Sequence, residues 1–365
     1  MSREWTGGQY SVYRVLLGLT LLLAFVRLPV SPATAFAQAV AGPVPNLGQL
    51  LAESMPGMGM IYAAVGVLLS FLLVLGKWDR VSAWILAFML PWPPSQVFLI
   101  SPLHVLLILH LFTPAAPYGS LSAWGRPNPG GTWQMPSRIP AIVWLLLYAY
   151  CLSEGMLIFD EPLSLQWSTL LALVQVLFVP FSLWSRSRPF AWLGLWLALW
   201  VLVFTGTPVW SLIVVLCLAF DPAWLREAEQ EAPEWMFYDG YCGLCHRAVR
   251  FVLAEDTKGS RFQFAPLQSE IFASMVPEDQ RKALPDSVVV ISRDGHLTTR
   301  SQAIVLILRR LGGGWTLAGW VLALIPRLLR DWGYDAIAAI RYRIFGKPDE
   351  VCPLVPKELR PRFKF

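Results

Sequence analysis

The chain has 365 residues, of which 56% are hydrophobic and 15% charged, and it includes 18 Trp. Its formal net charge is +5 and its mean hydropathy is +0.52. This composition excludes an ordinary soluble domain and predicts a polytopic membrane protein joined to a more polar part. Residues 1–220 carry 9 Lys and Arg and 6 Asp and Glu, whereas residues 221–365 carry 20 and 18. The two parts therefore meet near Asp221.

Apolar stretches near the ~20 residues that span a bilayer recur in the first part. They predict a helical membrane bundle of about eight spans. The third span is the weakest, because the prolines of 91–94 shorten it and allow a tilted or re-entrant segment. The predicted spans are 12–28, 59–75, 81–90, 97–112, 139–158, 165–183, 190–205 and 208–220.

Loop charges predict the orientation of these spans. Acidic Glu53, Asp160 and Glu161 fall on one side, with Arg27 as a basic exception. By the positive-inside rule the other side is cytoplasmic, together with the N-terminus and everything after Asp221, in a cytoplasmic (inner) membrane. A cleaved secretory signal ending at 35–37 is an alternative that leaves the C-terminal part on the same side. The cytoplasmic basic residues are Arg3, Lys77, Arg80, Arg126, Arg138, Arg186, Arg188 and Arg226.

The part after residue 233 alternates strand and helix patterns. Strands are predicted at 235–238, 261–264, 287–292 and 297–300, the last two joined by a hairpin with an Asp294-Gly295 turn. Helices are predicted at 242–254, 269–284 and 301–311, the last ended by the glycines 312–314. The order βαβαββα is that of thioredoxin.

Two cysteines lie where the first strand passes into the first helix. Cys242 stands at the predicted helix start, where free amides and the helix dipole lower a thiol pKa. Cys245 is about one turn further on and could resolve a mixed disulfide. This pattern predicts a redox-active dithiol.

The motif Asp239-x-x-Cys242-x-x-Cys245, with the segments 264–269, 286–290, 311–313 and 341–346, resembles the DCC family of thioredoxin-like thiol-disulfide oxidoreductases. The resemblance implies that Cys242 is the attacking thiol, Cys245 the resolving thiol and Asp239 the acidic residue of the motif. A buried carboxylate there could accept the proton of Cys245. A turn or helix-capping aspartate is the alternative.

The membrane part is similar to the HTTM family, which is related to vitamin K-dependent γ-carboxylase, at 14–18, 76–77 and 109–114. No carboxylase residues are assigned, because the sequence lacks a matching lysine. The expected domains are therefore an HTTM-like transmembrane domain at 1–222 and a linker at 223–233. A thioredoxin-like domain at 234–312 and a basic C-terminal extension at 313–365 follow.

The same cysteines fit two other kinds of site less well. Cys242 to His246 also fits the c-type haem attachment pattern, but the strand before it favours a thioredoxin-like turn. A single CxxC is too few ligands for zinc. We therefore expect no covalently bound cofactor and no metal. His246 is expected to tune a thiol pKa or simply to be an exposed helix residue.

Two further residues are secondary candidates. Cys352 could act as a third thiol that shuttles electrons to the active pair. Pro285 precedes the third strand, where thioredoxin folds carry a cis-proline beside the dithiol.

The extension contains an apolar stretch, 315–325, that is too short to span a bilayer. It either lies at the membrane interface, with Arg327, Arg330, Arg341 and Arg343 toward anionic headgroups, or packs over the thioredoxin core. No basic groove with aromatic residues indicates nucleic-acid binding.

Together these features predict a membrane-anchored thiol-disulfide oxidoreductase that acts on protein or small-molecule disulfides at the cytoplasmic face. A reducing compartment favours net reduction. The electron donor, an external thiol or a reduced quinone, stays open. Two other functions remain: a quinone- or lipid-handling membrane enzyme that the dithiol recharges, and a redox-sensing transporter or scaffold.

Overall fold

A computed structural model describes residues 5–28, 58–90, 101–158, 167–204, 210–225, 232–347 and 356–364. Cys352, the triplet 35–37 and residues 226–231 of the predicted linker lie outside these ranges. The chain forms two compact units. The helical unit comprises residues 10–122 and 135–220, and the C-terminal unit comprises residues 1–9, 123–134 and 221–365. The sequence did not predict that 1–9 and 123–134 join the C-terminal unit.

Each predicted span overlaps one helix in the described part of the chain. Only two of these helices, Gly7–Val26 and Met58–Leu75, are long and apolar enough to cross a bilayer, judged by length and composition over the described residues. The eight-span arrangement stays a prediction. The helices are α1 (Gly7–Val26), α2 (Met58–Leu75), α3 (Asp79–Met89), α4 (Pro102–Leu111), α5 (Arg138–Ile158), α6 (Trp167–Leu183), α7 (Arg188–Phe204) and α8 (Trp210–Ala219).

Polar side chains are buried inside the helical unit. Arg14 is fully buried and donates hydrogen bonds to carbonyl oxygens near the end of α2 and to that of Gly119. The His110 ring lies 2.6 Å from the Tyr10 hydroxyl and 3.4 Å from the Asp79 carboxylate. Buried polar groups need such partners, so this network ties α1, α3 and α4 together.

The C-terminal unit is built on a four-stranded mixed sheet. Its strands are β1 (Glu234–Tyr238), β2 (Phe262–Pro266), β3 (Val289–Ile291) and β4 (Leu297–Thr299). The spatial order is β2-β1-β3-β4, with β1 parallel to β2 and antiparallel to β3, and β3 antiparallel to β4. The predicted hairpin is confirmed, and Gly295 takes the positive φ of 75° that its turn requires.

The helices of this unit are α9 (Gly243–Glu255), α10 (Glu270–Met275), α11 (Glu278–Ala283), α12 (Arg300–Leu311), α13 (Gly314–Leu324) and α14 (Arg327–Phe345). The prediction of one helix over 269–284 was wrong. Val276 and Pro277 separate α10 from α11, because proline has no N–H to continue the first helix.

Both faces of the sheet are buried, which explains why β1 reads as an unbroken apolar run. Met236 and Tyr238 point into one core, together with side chains of α9 and α12. Phe237 points into the opposite core, where Phe272 of α10 packs against it. The end of β1, which carries the dithiol turn, is thereby fixed between two cores.

The end of the chain belongs to the same unit. Phe363 bridges to Phe264 of β2, and Arg362 forms a 2.6 Å ion pair with buried Asp256. At the far end of α9 the buried Glu255 carboxylate accepts hydrogen bonds from Gly8 N–H (2.9 Å) and the Trp315 indole (2.5 Å). The helix that carries the dithiol is therefore held at its far end by residues distant in sequence.

Candidate active site

The dithiol turn begins at Asp239, directly after β1. One carboxylate oxygen of Asp239 accepts the Tyr241 N–H at 3.0 Å, while the backbone oxygen of Asp239 accepts the Cys242 N–H at 3.3 Å. Both bonds are typical of an aspartate-stabilised turn. The turn sets Cys242 as the residue that caps α9, in an extended conformation.

Cys242 occupies the place where a helix stabilises negative charge. Its sulfur accepts the Cys245 N–H at 3.3 Å. A hydrogen bond from the Cys245 thiol is the largest influence on the pKa of Cys242; burial opposes it, and the amide bonds and the Arg341 charge add to it, so that the pKa falls to about 6. Cys242 is therefore largely a thiolate at neutral pH.

Cys245 has the opposite character. Its hydrogen bond to Cys242 and its burial both raise the pKa of the Cys245 thiol well above the ordinary value. The pair thus consists of an acidic thiol at the helix start and a protonated thiol one turn further on. The sequence predicted this order of acidity.

The acidic thiol is covered. Cys242 is 0% exposed, whereas Cys245 is partly exposed. The Gly243 N–H donates to the carbonyl oxygen of Gly346 at 3.2 Å, and a Cβ at position 243 would collide with the Phe345 carbonyl. The end of α14 therefore lies against the first turn of α9, and residue 243 must be glycine for this close approach.

The Asp239 carboxylate has several partners besides the turn. It accepts hydrogen bonds from Tyr342 Oη (2.5 Å) and Gln268 Nε2 (3.3 Å), and it lies 3.5 Å from Arg341 Nη2. Burial raises the pKa of Asp239, but the bonds from Tyr342, the Tyr241 N–H and Gln268, with the Arg341 charge, outweigh it and hold the pKa below the usual range. Asp239 is thus an ionised carboxylate surrounded by donors.

Arg341 is the charged centre of this network. It is 4% exposed and pairs with Asp286 at 2.7 Å as well as with Asp239, and it donates to Tyr342 Oη at 2.8 Å. Burial lowers the pKa of Arg341, but the bonds to Asp286 and Tyr342 outweigh it and raise the pKa. The expectation that Arg341 faces lipid headgroups was wrong, because two carboxylates hold it beside the dithiol.

The secondary candidates differ in position. The Nε2–H of His246 donates to the Gly240 carbonyl at 2.8 Å, so this half-buried ring braces the dithiol turn. Pro285 lies in the segment leading into β3, and its neighbour Asp286 is the residue that joins the site through Arg341. Among the described residues, no group of three or more His, Cys, Asp or Glu could hold a metal ion.

Sequence reasoning assigned no role in the site to four residues, namely Gln268, Asp286, Arg341 and Tyr342. All four stand in segments that support the family resemblance, 264–269, 286–290 and 341–346. Arg341 and Tyr342 lie about a hundred residues from Asp239, so no local pattern links them to it.

The fold and the site define a dithiol redox protein. A model of the family "DCC1-like thiol-disulfide oxidoreductase" matches residues 236–347. The uncharacterized protein YuxK of Bacillus subtilis (strain 168) is 36% identical over 140 residues, which cover 37% of this chain and 97% of that protein. A chloroplastic DCC family protein of Arabidopsis thaliana is 28% identical over 130 residues, or 34% of this chain and 75% of that protein.

No solved structure gives a significant match. The relatives nevertheless show the family: the chain belongs to the DCC1-like thiol-disulfide oxidoreductases, and a thiol-disulfide redox function follows for its C-terminal part. The HTTM-like resemblance of the membrane part stays a prediction.

Proposed function

We propose that the protein is a membrane-anchored reductase of disulfides with a thioredoxin-like dithiol centre. The Cys242 thiolate attacks one sulfur of the substrate disulfide, which forms a mixed disulfide and releases the other sulfur as a thiolate. Cys245 then attacks Cys242, releases the second substrate thiol and leaves a Cys242–Cys245 disulfide. An external thiol or a quinol supplies the two electrons that restore the dithiol. The observation that carries this proposal is the opposite shift of the two thiol pKa values.

Asp239 and Arg341 act on the thiols in this mechanism as positioning residues. Arg341 brings positive charge that favours the Cys242 thiolate. Asp239 holds the turn and anchors Arg341. A carboxylate whose pKa lies below the usual range is a weak base, so we favour this role over proton acceptance from Cys245. Asp239→Asn separates the two, because loss of a base slows only the resolving step.

The burial of Cys242 limits access to the site. Attack on a disulfide requires that the segment Phe345 and Gly346, hydrogen-bonded to Gly243, move aside. Gly346 ends α14 with a positive φ of 73°. The end of a helix opens more easily than its interior.

Membrane anchoring and the cytoplasmic side complete the proposal. They are supported by the apolar helices α1 and α2 and by the basic loops. Cys242 is a poor reporter of sidedness because it is buried. Lys282→Cys is better, since the Lys282 side chain is 76% exposed. An impermeant maleimide should label it only after spheroplasts are lysed, and labelling before lysis would reverse the orientation.

A reductase assay on the purified full-length protein tests the chemistry. Wild type should reduce a model protein disulfide with dithiol as donor, whereas Cys242→Ser should lose activity and Cys245→Ser should turn over at most once. Cys352→Ser reports whether a third thiol takes part. In a separate assay, thiol oxidation that depends on added quinone would favour the quinone-handling enzyme. No turnover with any donor would favour the redox sensor.

A further inference from the structure

The two helices of the C-terminal extension carry apolar residues on the outside. In α13 the buried positions are Thr316 and Gly319, which pack against α12. The exposed positions are Leu317, Trp320, Val321 and Leu324, the last 84% exposed. Their spacing of i, i+3, i+4 and i+7 forms one continuous apolar stripe. A helix at a water-exposed surface instead buries its apolar side chains and exposes its polar ones.

The next helix repeats this arrangement. Tyr334 and buried Arg341 lie on the inner side of α14, where Tyr334 accepts the Val288 N–H at 3.0 Å. At 100° per residue, the outer half of the helix surface carries large apolar residues. All of them are exposed: Leu328 (86%), Leu329, Trp332 (74%), Ile337, Ile340 and Ile344. We call these residues and the α13 stripe the outer face.

Basic side chains lie at both ends of α14. Arg343 and Lys347 are exposed near the end of α14, and the Arg327 side chain is 67% exposed at its start. The acidic residues of the helix are matched by cations, since Asp331 pairs with Arg327 and Asp335 with Arg300. The surface around the apolar residues is therefore suited to negative charge.

We infer that the outer face of α13 and α14 lies in the interface of a bilayer that contains anionic lipids. Apolar residues with Trp on one side and Lys or Arg at the edge are the features of interfacial helices. Interfaces between proteins usually contain several hydrogen bonds, and the outer face has few groups that could form them. The partner is therefore lipid.

The course of the chain allows this contact. Only residues 220 and 221 separate the end of α8 at Ala219 from a 3-10 helix, Pro222–Leu225, that packs against α13. The inference rests on the membrane anchoring proposed above and not on the dithiol chemistry. Since a helix is about 10–12 Å across, docking places the Arg341 network and the dithiol close to the membrane surface.

Spin-label accessibility in the full-length protein, reconstituted in nanodiscs with anionic and neutral lipid, tests the inference. The native cysteines are replaced by serine, and a single label is placed at Leu324→Cys or Trp332→Cys. Two reference positions accompany them: Lys282→Cys on the C-terminal unit, and Leu68→Cys on α2, whose side chain is exposed. Frequent collisions of the spin label with oxygen indicate that the label lies in lipid. Frequent collisions with a water-soluble nickel complex indicate that it lies in water.

We expect the labels at 324 and 332 to behave like that at 68, with high oxygen access and nickel access several-fold below that at 282. Neutral lipid, or Arg343→Gln, should raise nickel access at both positions. If the labels at 324 and 332 show nickel access like that at 282 while the label at 68 is still in lipid, the outer face does not contact lipid. The membrane anchoring would then stand. Protection from both reagents means that protein covers the face and also overturns the inference. Nickel access at 68 overturns the anchoring itself.

Discussion

Arg341, near the end of the last long helix, lies 3.5 Å from the carboxylate of Asp239, 102 residues earlier in the chain. The contact makes α14 part of the dithiol site. It brings a buried positive charge to the turn that holds Cys242, and through Asp286 it also fixes the segment before β3.

Replacement of Arg341 should change both stability and thiol acidity. Arg341→Met leaves the buried Asp239 carboxylate without its cation, which we expect to lower the free energy of unfolding by about 3–5 kcal/mol. The pKa of Cys242 should rise, because one cause of its low value is lost. Denaturant unfolding and thiol alkylation across pH measure the two effects. Arg341→Lys keeps the positive charge, so the pKa of Cys242 should stay low in this variant. An equal rise of that pKa in the Met and Lys variants would show that the charge of Arg341 does not lower it.

The pH dependence of the alkylation rate measures the fraction of Cys242 that is a thiolate. The rate at Cys242 should climb as pH rises through about 6 and then level off, whereas an ordinary thiol climbs to about 8.5. The folded pKa lies below the unfolded one. The thiolate therefore stabilises the reduced protein above the unfolded pKa, and this contribution is lost as pH falls through about 6. A midpoint near 8.5 would refute the low pKa.

Gly243→Ala tests whether the end of α14 covers the dithiol. The added methyl group collides with the Phe345 carbonyl, so this backbone must shift. Alkylation of Cys242 at a pH well above 6 should become several-fold faster, with some loss of stability. Gly333→Ala is the matched control, because a Cβ there meets nothing within 4 Å and should leave the rate unchanged. Equal rates in Gly243→Ala and wild type would show that Cys242 is reached by another route.

Glu255 should matter for stability. Glu255→Ala leaves the buried Gly8 N–H and the half-buried Trp315 indole without this acceptor, at up to about 1–3 kcal/mol for each group. Glu255→Gln keeps one acceptor oxygen and should cost less. Burial raises the pKa of Glu255, so the folded state holds its proton more tightly. Relative to the Gln variant, wild type should lose stability as pH rises from the ordinary glutamate pKa through the raised one. Thermal unfolding across pH measures this, and two identical profiles would contradict it.

The sequence predicted the local features of the fold well and the distant contacts poorly. The dithiol turn, the four strands and the hairpin follow from short-range patterns, and the acidity order follows from the place of Cys242 at a helix start. The sequence pattern favours one helix over 269–284, whereas Pro277 divides this segment into α10 and α11. The contact of Gly243 with Gly346 beside buried Cys242 joins residues about a hundred positions apart, and such packing has no local signal.

The extension shows the same limit. Its apolar stretch allowed either an interface or a packing role, and the structure shows packing on the inner side and exposed apolar residues on the outer side of the same helices. Arg341 was grouped with its exposed neighbours because all are basic. Its side chain is buried because it lies on the inner side of α14, toward Asp239 and Asp286.

Trapping of mixed disulfides tests the central claim most directly. Full-length Cys245→Ser and Cys242→Ser proteins are expressed in cells, acid-quenched and compared on non-reducing gels, with wild type as control. Attack by Cys242 and resolution by Cys245 predict that Cys245→Ser accumulates disulfide-linked partners that a reductant releases, while Cys242→Ser accumulates none. Partners trapped by Cys242→Ser and not by Cys245→Ser would reverse the two roles. No trapping by either variant, with function retained in both, would show that this dithiol is not the working centre.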